Sequence, residues 1–216
     1  EFTERVYQHE WLGYIGQKNL IRGMATHPWV LFLDADEEVS PELRDEILEQ
    51  LEGGRPSYFG YRFPRTVFYL GKWIRHGEWY PDLKLRLFRK DHGRSAGQEP
   101  HDHVLVDGPV KTLKSSLHHY TYDDIRDHLE TVNRFSTITA QEKRLHGDRF
   151  RMVDILFRPL FRFLKAYFLK LGFLDGMQGL IIAMVSAYGV FMKYAKLWEL
   201  ESQGAAETTK KDAHGT

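Results

Sequence analysis

Two aspartates one residue apart, Asp34 and Asp36, follow directly on an unbroken apolar run, Trp29-Val30-Leu31-Phe32-Leu33, and Glu37 and Glu38 come next. Carboxylates so spaced, on a turn leaving a buried strand, form a hard-oxygen site. Mg²⁺ and Mn²⁺ prefer such donors, with substrate phosphates completing the shell. A cation held there would bridge a diphosphate and offset its charge as it leaves. A plainer role is also open: Asp36, Glu37 and Glu38 lie just ahead of a helix beginning near Ser40, whose N-terminal dipole favours acids. Arg86 offers a guanidinium suited to phosphate, or a solvated strand charge. Trp73, Trp79 and Tyr80 carry rings that stack on a sugar or nucleobase, or that pack a loop. His118-His119 reads as a surface pair or, at His119, as an extra metal ligand.

These groups need elements to hold them. Val6-Tyr7 suggests part of a short strand, and Ile15, Leu20, Ile21 and Met24 predict a helix over residues 14–25. The run at residues 29–33 predicts a strand buried on both faces. Ser40 as N-cap, Pro41 at the first helical position and an apolar face of Leu43, Ile47, Leu48 and Leu51 predict a helix stopped by Gly53-Gly54. Strands are expected at residues 58–63 and around Leu83, Leu85 and Leu87, with a loop rich in Gly and aromatics over residues 70–81. Val104-Leu105-Val106 and Val110 about Asp107-Gly108 predict a hairpin. A helix over residues 123–146 carries Ile125, Leu129, Val132, Phe135 and Ile138 on one face and ends at Gly147. Residues 149–200 read as helical, and the polar stretch from Ser202 as disordered. This order predicts an α/β domain with a helical C-terminal extension. Ligands of open α/β sheets bind beyond the carboxyl ends of strands, where residues 34–38 lie.

Composition excludes several classes. Lys plus Arg and Asp plus Glu are both 30, so the charge balance points to no nucleic-acid partner. Without cysteine there is no disulfide, zinc–thiolate site or cysteine nucleophile. Charge is uneven, however: residues 149–172 hold six bases, Arg149, Arg151, Arg158, Arg162, Lys165 and Lys170, against one acid, Asp154. Phe and Tyr are interleaved with them, a pattern that suits the surface of an anionic membrane. Residues 176–192 run for 17 positions without a charge, at the lower limit for crossing a core of roughly 30 Å. Gln178, Ser186 and interior glycines favour a buried helix or a shallow membrane hairpin over a full span.

The segment HPWVLFLDADEEVSPELRDEI (residues 27–47) closely resembles the strand-to-acid motif of family 2 glycosyltransferases, in the subgroup related to lipopolysaccharide-core transferases. WLGYIGQKNLIRGMA (11–25), WYPDLKLRLFRK (79–90), PHDHVLVDGPV (100–110), HHYTYDDIRDHLETVNRFS (118–136) and GFLDGMQGLIIAMVSAYGVFMKYAKL (172–197) resemble blocks of that subgroup in the same order. The resemblance covers about residues 5–198 and implies a GT-A-like nucleotide-sugar-binding sheet. It implies Asp36 as ligand of a divalent Mg²⁺ or Mn²⁺ ion, with Asp34 sharing the ion or contacting the donor's ribose; His119 is the further candidate ligand named above. By the resemblance Lys18 and Asn19 would lie near the nucleotide; Trp79, Asp82, Arg86 and His101 are further candidates for substrate contact. The acid of the family's His-Glu element would activate the acceptor; here the element reads His101-Asp102, so the base would be Asp102, with Glu99 as the nearby alternative.

The expected reaction is displacement with inversion at the anomeric carbon of a nucleotide-sugar donor. The acceptor would be a lipid-linked saccharide, met at the cytoplasmic face of a bacterial inner membrane. Expected divisions are a catalytic domain over residues 1–147, a membrane-associated helical extension over 148–200 and a disordered tail over 201–216. The family opens with a β-α-β unit for which there is no room before Trp29. The sequence therefore predicts an incomplete N-terminal sheet with an exposed edge, and weak turnover by the chain as it stands. Two other readings remain open: another divalent-metal nucleotidyl or phosphoryl enzyme, and a non-catalytic, membrane-associated remnant of the fold.

Overall fold

The computed structural model describes residues 4–52, 57–98 and 101–213. The chain divides into two units. The first comprises residues 1–65 and 82–118, the second residues 66–81 and 119–216.

In the first unit, helix α1 (Gly13–Met24) precedes strand β1 (Trp29–Leu31), β2 (Glu37–Val39) and helix α2 (Pro41–Leu51). Val6-Tyr7 lies outside any strand. Ser40 caps α2 by accepting a hydrogen bond from the Leu43 backbone N–H at 3.1 Å, and Pro41 takes the first turn. The expected stop, Gly53-Gly54, lies outside the described residues. Strand β3 (Gly60–Tyr69) begins in this unit and passes into the second at Arg65. After it come β5 (Asp82–Arg89), β6 (Gly93–Gln98), β7 (His101–Val106), β8 (Val110–Thr112) and β9 (Leu117–His119); β4 (Lys72–Trp73) belongs to the second unit.

The main sheet has the order β1-β5-β3-β9-β2. It is mixed: β1 and β3 both run antiparallel to β5, while β8 lies parallel to β3. Among the described residues β1 ends the sheet, and its two faces differ in burial, which corrects the expectation of burial on both. Val30 and Phe32 are buried against Phe88, whereas Leu31 and Leu33 are 36% and 44% exposed. The expected hairpin about Asp107-Gly108 does not form either. Strand β7 pairs with β6 in a separate two-stranded ribbon, and β8 joins β3. The core beneath the sheet gathers Leu43 and Ile47 of α2 with Tyr61, Phe63, Leu87, Leu113 and Leu117. On β5 the expected half-buried leucine face gives way to a buried Arg86-Leu87-Phe88 run, with Leu83 45% exposed.

The second unit starts with a tight hairpin. β3 and β4 pair at Phe68–Trp73 and Tyr69–Lys72 around Leu70 and Gly71, both at positive φ (47° and 80°). Helices α3 (Ile125–Leu145), α4 (Met152–Leu164) and α5 (Met177–Ala213) follow, with a π turn at Lys165–Leu169 and a short 3-10 turn at Gly172–Asp175 between the last two. Asp124 caps α3 through the Asp127 N–H at 2.8 Å. The expected apolar face of α3 is not what it buries: His128, Ser136 and Ala140 are sequestered, while Ile125, Leu129, Phe135 and Ile138 are 36–45% exposed. Helix α5 comes close: a Cβ on Gly189 would lie 2.8 Å from Val132 of the expected face, and Ala140 packs with Tyr194 and Leu197. Gly179 is tighter still, its imagined Cβ falling 1.8 Å from the Gly172 carbonyl oxygen. Helix α5 is long and apolar enough over Met177–Gln203 to cross a membrane by length and composition. It also buries Ile182, Ala183, Tyr194 and Leu197 inside this unit. Its backbone runs through Ala213, across residues the sequence assigned to the tail.

Candidate active site

The site grows from the end of β1. The Phe32 N–H donates to the Arg86 carbonyl at 2.9 Å, continuing the β1–β5 pairing and delivering the next residues opposite the Arg86 side chain. The chain then turns, the Glu37 N–H donating to the Asp34 carbonyl at 3.0 Å. A second bond closes this turn: the Asp34 N–H donates to Glu37 Oε2 at 3.1 Å. The Glu37 side chain is fully buried and accepts from Arg86 at 2.6 Å and from Arg65 at 3.1 Å. Arg86, 9% exposed, also donates to Asp34 at 2.5 Å. Glu37 and Arg86 thus form the charged floor on which the acidic turn rests. Burial would push the Asp34 carboxyl up, but Arg86 and then Lys18 outweigh it and hold its pKa below the ordinary aspartate value. Burial would likewise lower the Arg86 pKa, and the carboxylates of Glu37 and Asp34 raise it instead. Asp34 keeps 40% of its side chain exposed, and Asp36 stands exposed on the turn.

Helix α1 supplies the opposing cation. Lys18 Nζ lies 3.5 Å from Asp34 and 3.1 Å from Asp102. Its neighbour Asn19 faces β6, donating to the Ser95 carbonyl at 2.9 Å and accepting from the Ser95 N–H at 3.0 Å. The Ser95 hydroxyl then donates to Asp102 at 3.1 Å. One turn of α1 therefore sets both the ammonium beside Asp102 and the strand whose hydroxyl orients it. Lys18, Asp34, Arg62, Arg65, Arg86 and Asp102 line a cleft of about 500 Å³. The arrangement offers a 12%-exposed carboxylate, Asp102, and several cations facing one polar space. Such a space suits an anionic substrate beside a group able to accept a proton.

Sequence reasoning had singled out Lys18, Asp34, Arg86 and Asp102, and the fold brings these four together. Asn19 and Asp82 lie in the same unit but are committed to protein partners. Asn19 binds Ser95 with both ends of its amide, and Asp82 pairs with Arg65 at 2.8 Å and Lys84 at 3.1 Å. His101 begins β7, and its side chain is outside the described ones, as is Glu99 altogether. Trp79 belongs to the second unit, where it packs in an aromatic cage with Tyr69, Tyr122 and His128. His119 ends β9 and is 8% exposed in that unit. Among the described residues no group of three or more His, Asp or Glu side chains is poised to hold a metal ion. Sequence reasoning missed Glu37 as the centre of the charged floor, Arg65 as its second cation and Ser95 as the partner of Asp102. Glu37 gave a partial signal, as an acid two residues into a polar turn yet next in register to a strand; Ser95 gave none.

Residues 4–107 match the model of glycosyl transferase family 2. The chain carries a family 2 glycosyltransferase domain. It is 29% identical over 197 residues to the lipopolysaccharide core biosynthesis glycosyltransferase LpsC of Rhizobium meliloti, covering 90% of this chain and 73% of LpsC. It is 29% identical over 208 residues to the glycosyltransferase RT0209 of Rickettsia typhi (91% of this chain, 70% of the relative). A Rickettsia bellii glycosyltransferase is 28% identical over 219 residues, 96% of this chain and 74% of its own length. The mixed sheet with its covering helices is the α/β, GT-A-like fold the sequence predicts, and the helical C-terminal region is present. The protein is a glycosyltransferase.

Proposed function

We propose that this glycosyltransferase moves a sugar, with inversion, from a nucleotide-sugar donor bound in the Lys18–Asp34–Asp102 cleft to a lipid-linked glycan of the bacterial cell envelope. The observation that carries the reading is the convergence of Asp34, Lys18 and Asp102 on one cleft inside the family 2 domain. Asp102 accepts the acceptor hydroxyl's proton as that oxygen attacks the anomeric carbon. A positioned carboxylate base contributes about 10²–10⁴-fold. Ser95 and Lys18 hold Asp102 in place. Arg62 and Arg65, on the cleft wall, balance the charge of a diphosphate.

Hard carboxylate donors that keep solvent access, as Asp34 and Asp36 do, fit a divalent cation whose remaining ligands are phosphate oxygens. Bound there, such an ion would supply charge neutralisation of the departing diphosphate. A lipopolysaccharide-type acceptor is supported by the LpsC likeness. The corresponding workplace is the cytoplasmic face of the inner membrane, where nucleotide sugars meet lipid-linked glycans.

The test is thermal stabilisation by Mn²⁺ with a panel of UDP-, GDP- and ADP-sugars. One sugar nucleotide should raise the melting temperature in a metal-dependent way, and Asp36→Ala should abolish that rise. Stabilisation by nucleoside triphosphates and by no sugar nucleotide would sink the proposal.

A further inference from the structure

Helix α4 is turned inside out. A surface helix of a globular protein faces its apolar stripe to the core. Here Met152, Val153, Leu156, Phe157, Leu160 and Phe161 are each 55–63% exposed. What α4 sequesters is Asp154, 7% exposed, and Ile155, which packs with Tyr194 of α5. The outward stripe does not stop with the helix. Phe168 and Leu169 in the π turn are 52% and 73% exposed, and Phe173, Leu174 and Met177 beyond it 43–65%. Contiguous exposed apolar surface of this extent marks an interaction site.

The charges around the stripe say what it fits. Residues 149–172 contain six bases and one acid. That acid, Asp154, is already paired with Arg151 at 3.0 Å and Arg158 at 2.6 Å, so it offers no negative charge to a partner. Arg151 and Arg158 remain 68% and 55% exposed while holding it, and Arg149 and Lys170 are exposed as well. An apolar strip with a cationic rim complements an anionic lipid surface, which takes the side chains into its acyl boundary and the bases among its headgroups. A symmetric pair of copies would set the same cationic rim against itself.

We propose that the outward face of α4 and the two turns after it seat this unit on an anionic phospholipid bilayer, α4 lying in the plane of the interface. The proposal stands independently of the sugar-transfer chemistry, because its test needs no donor or acceptor. The protein is sedimented with sucrose-loaded vesicles of phosphatidylglycerol and phosphatidylcholine, and with vesicles of phosphatidylcholine alone, at low and high salt. Binding to the anionic vesicles is expected, weakened but not abolished by salt. The double variant L156E/F161E, altered only at exposed positions, should lose at least tenfold in partitioning while keeping the parent's circular dichroism and urea midpoint. Lys165→Glu with Lys170→Glu should weaken binding to anionic vesicles alone. The proposal is overturned if the parent stays in the supernatant with anionic vesicles at low salt, or if L156E/F161E binds as the parent does. A dimer in sedimentation velocity that the double variant dissolves, without vesicle binding, would assign the stripe to a second copy and overturn it equally.

Discussion

Replacing Arg86 with Met removes a cation that two carboxylates share in a nearly dry place. Glu37 is fully buried and 2.6 Å from the guanidinium; Asp34 is 2.5 Å away. At an effective dielectric of about 20, a contact of that length carries a gross attraction of roughly 6 kcal/mol. Desolvation of Glu37 and Arg86 consumes most of it. What decides the outcome is the state left behind. Without Arg86, Glu37 keeps the Asp34 N–H and a single cation, Arg65, itself shared with Asp82, and remains an under-compensated buried charge. Breaking a buried pair in this way costs about 3–5 kcal/mol. Asp34, being 40% exposed, regains water and adds little to that figure. Urea unfolding of the parent, Arg86→Met, Glu37→Gln and the double variant measures this. The single Arg86 change should lower the unfolding free energy by that amount, and the midpoint with it. The double should lose less than the sum of the singles by about 1–3 kcal/mol, because the charge that Arg86 protects is gone. A loss under about 1 kcal/mol for Arg86→Met, or strict additivity, would refute the idea of a charged floor.

Three further outcomes follow from other parts of the structure. Asn19→Ala should cost about 1–3 kcal/mol by orphaning both backbone groups of Ser95, and a readout by hydrogen exchange should show the Ser95 amide losing protection. Gly179→Val should destabilise the second unit by about 1–3 kcal/mol or more, since the new side chain meets the Gly172 carbonyl; a thermal melt at or above the parent's would contradict the packing. His128 is held neutral by burial, its pKa lowered from 6.5 to about 4 against the opposing charge of Asp127. As pH falls, the unfolded chain takes up that proton before the folded one does. The contribution is therefore full above about pH 6.5 and lost between about 6.5 and 4. It amounts to at most about 3 kcal/mol, and His128→Gln should flatten the slope in that window of urea midpoint against pH.

Much of the fold was legible because its signals are local. The Ser40-Pro41 cap placed α2, and the apolar spacing placed α1 and α3 to within a residue or two. What the sequence could not supply was pairing. Val104–Val106 and Val110 flank a turn-forming Asp-Gly and read as one hairpin, yet each finds its partner elsewhere, β7 on β6 and β8 on β3. The face of α3 was misjudged because hydrophobicity predicts burial only where there is room. Against α5 it is Ala140, beside Tyr194 and Leu197, and Ser136, bonded to Lys196, that are buried, while Gly189 makes room for Val132 and the other large side chains are turned outward. The site was legible to the same degree. Asp34 and Asp36 announce themselves by following an apolar run, and Lys18, Arg86 and Asp102 by their place in recurring blocks. Ser95 was illegible, since its part depends on α1 meeting β6 across 76 residues of sequence. Glu37 was half-legible: its charge was plain, while its complete burial between two arginines is a product of tertiary structure.

The most direct measurement is glycoside formation from one nucleotide sugar and a lipid-linked saccharide acceptor by the parent and by Asp102→Asn, followed by NMR so that rate and anomeric configuration are read together. The account predicts a product of inverted configuration. It also predicts a rate lower by about 10²–10⁴-fold in the variant, with donor affinity changed only a few-fold. Turnover by Asp102→Asn at the parent's rate, or retention at the anomeric centre, would contradict it.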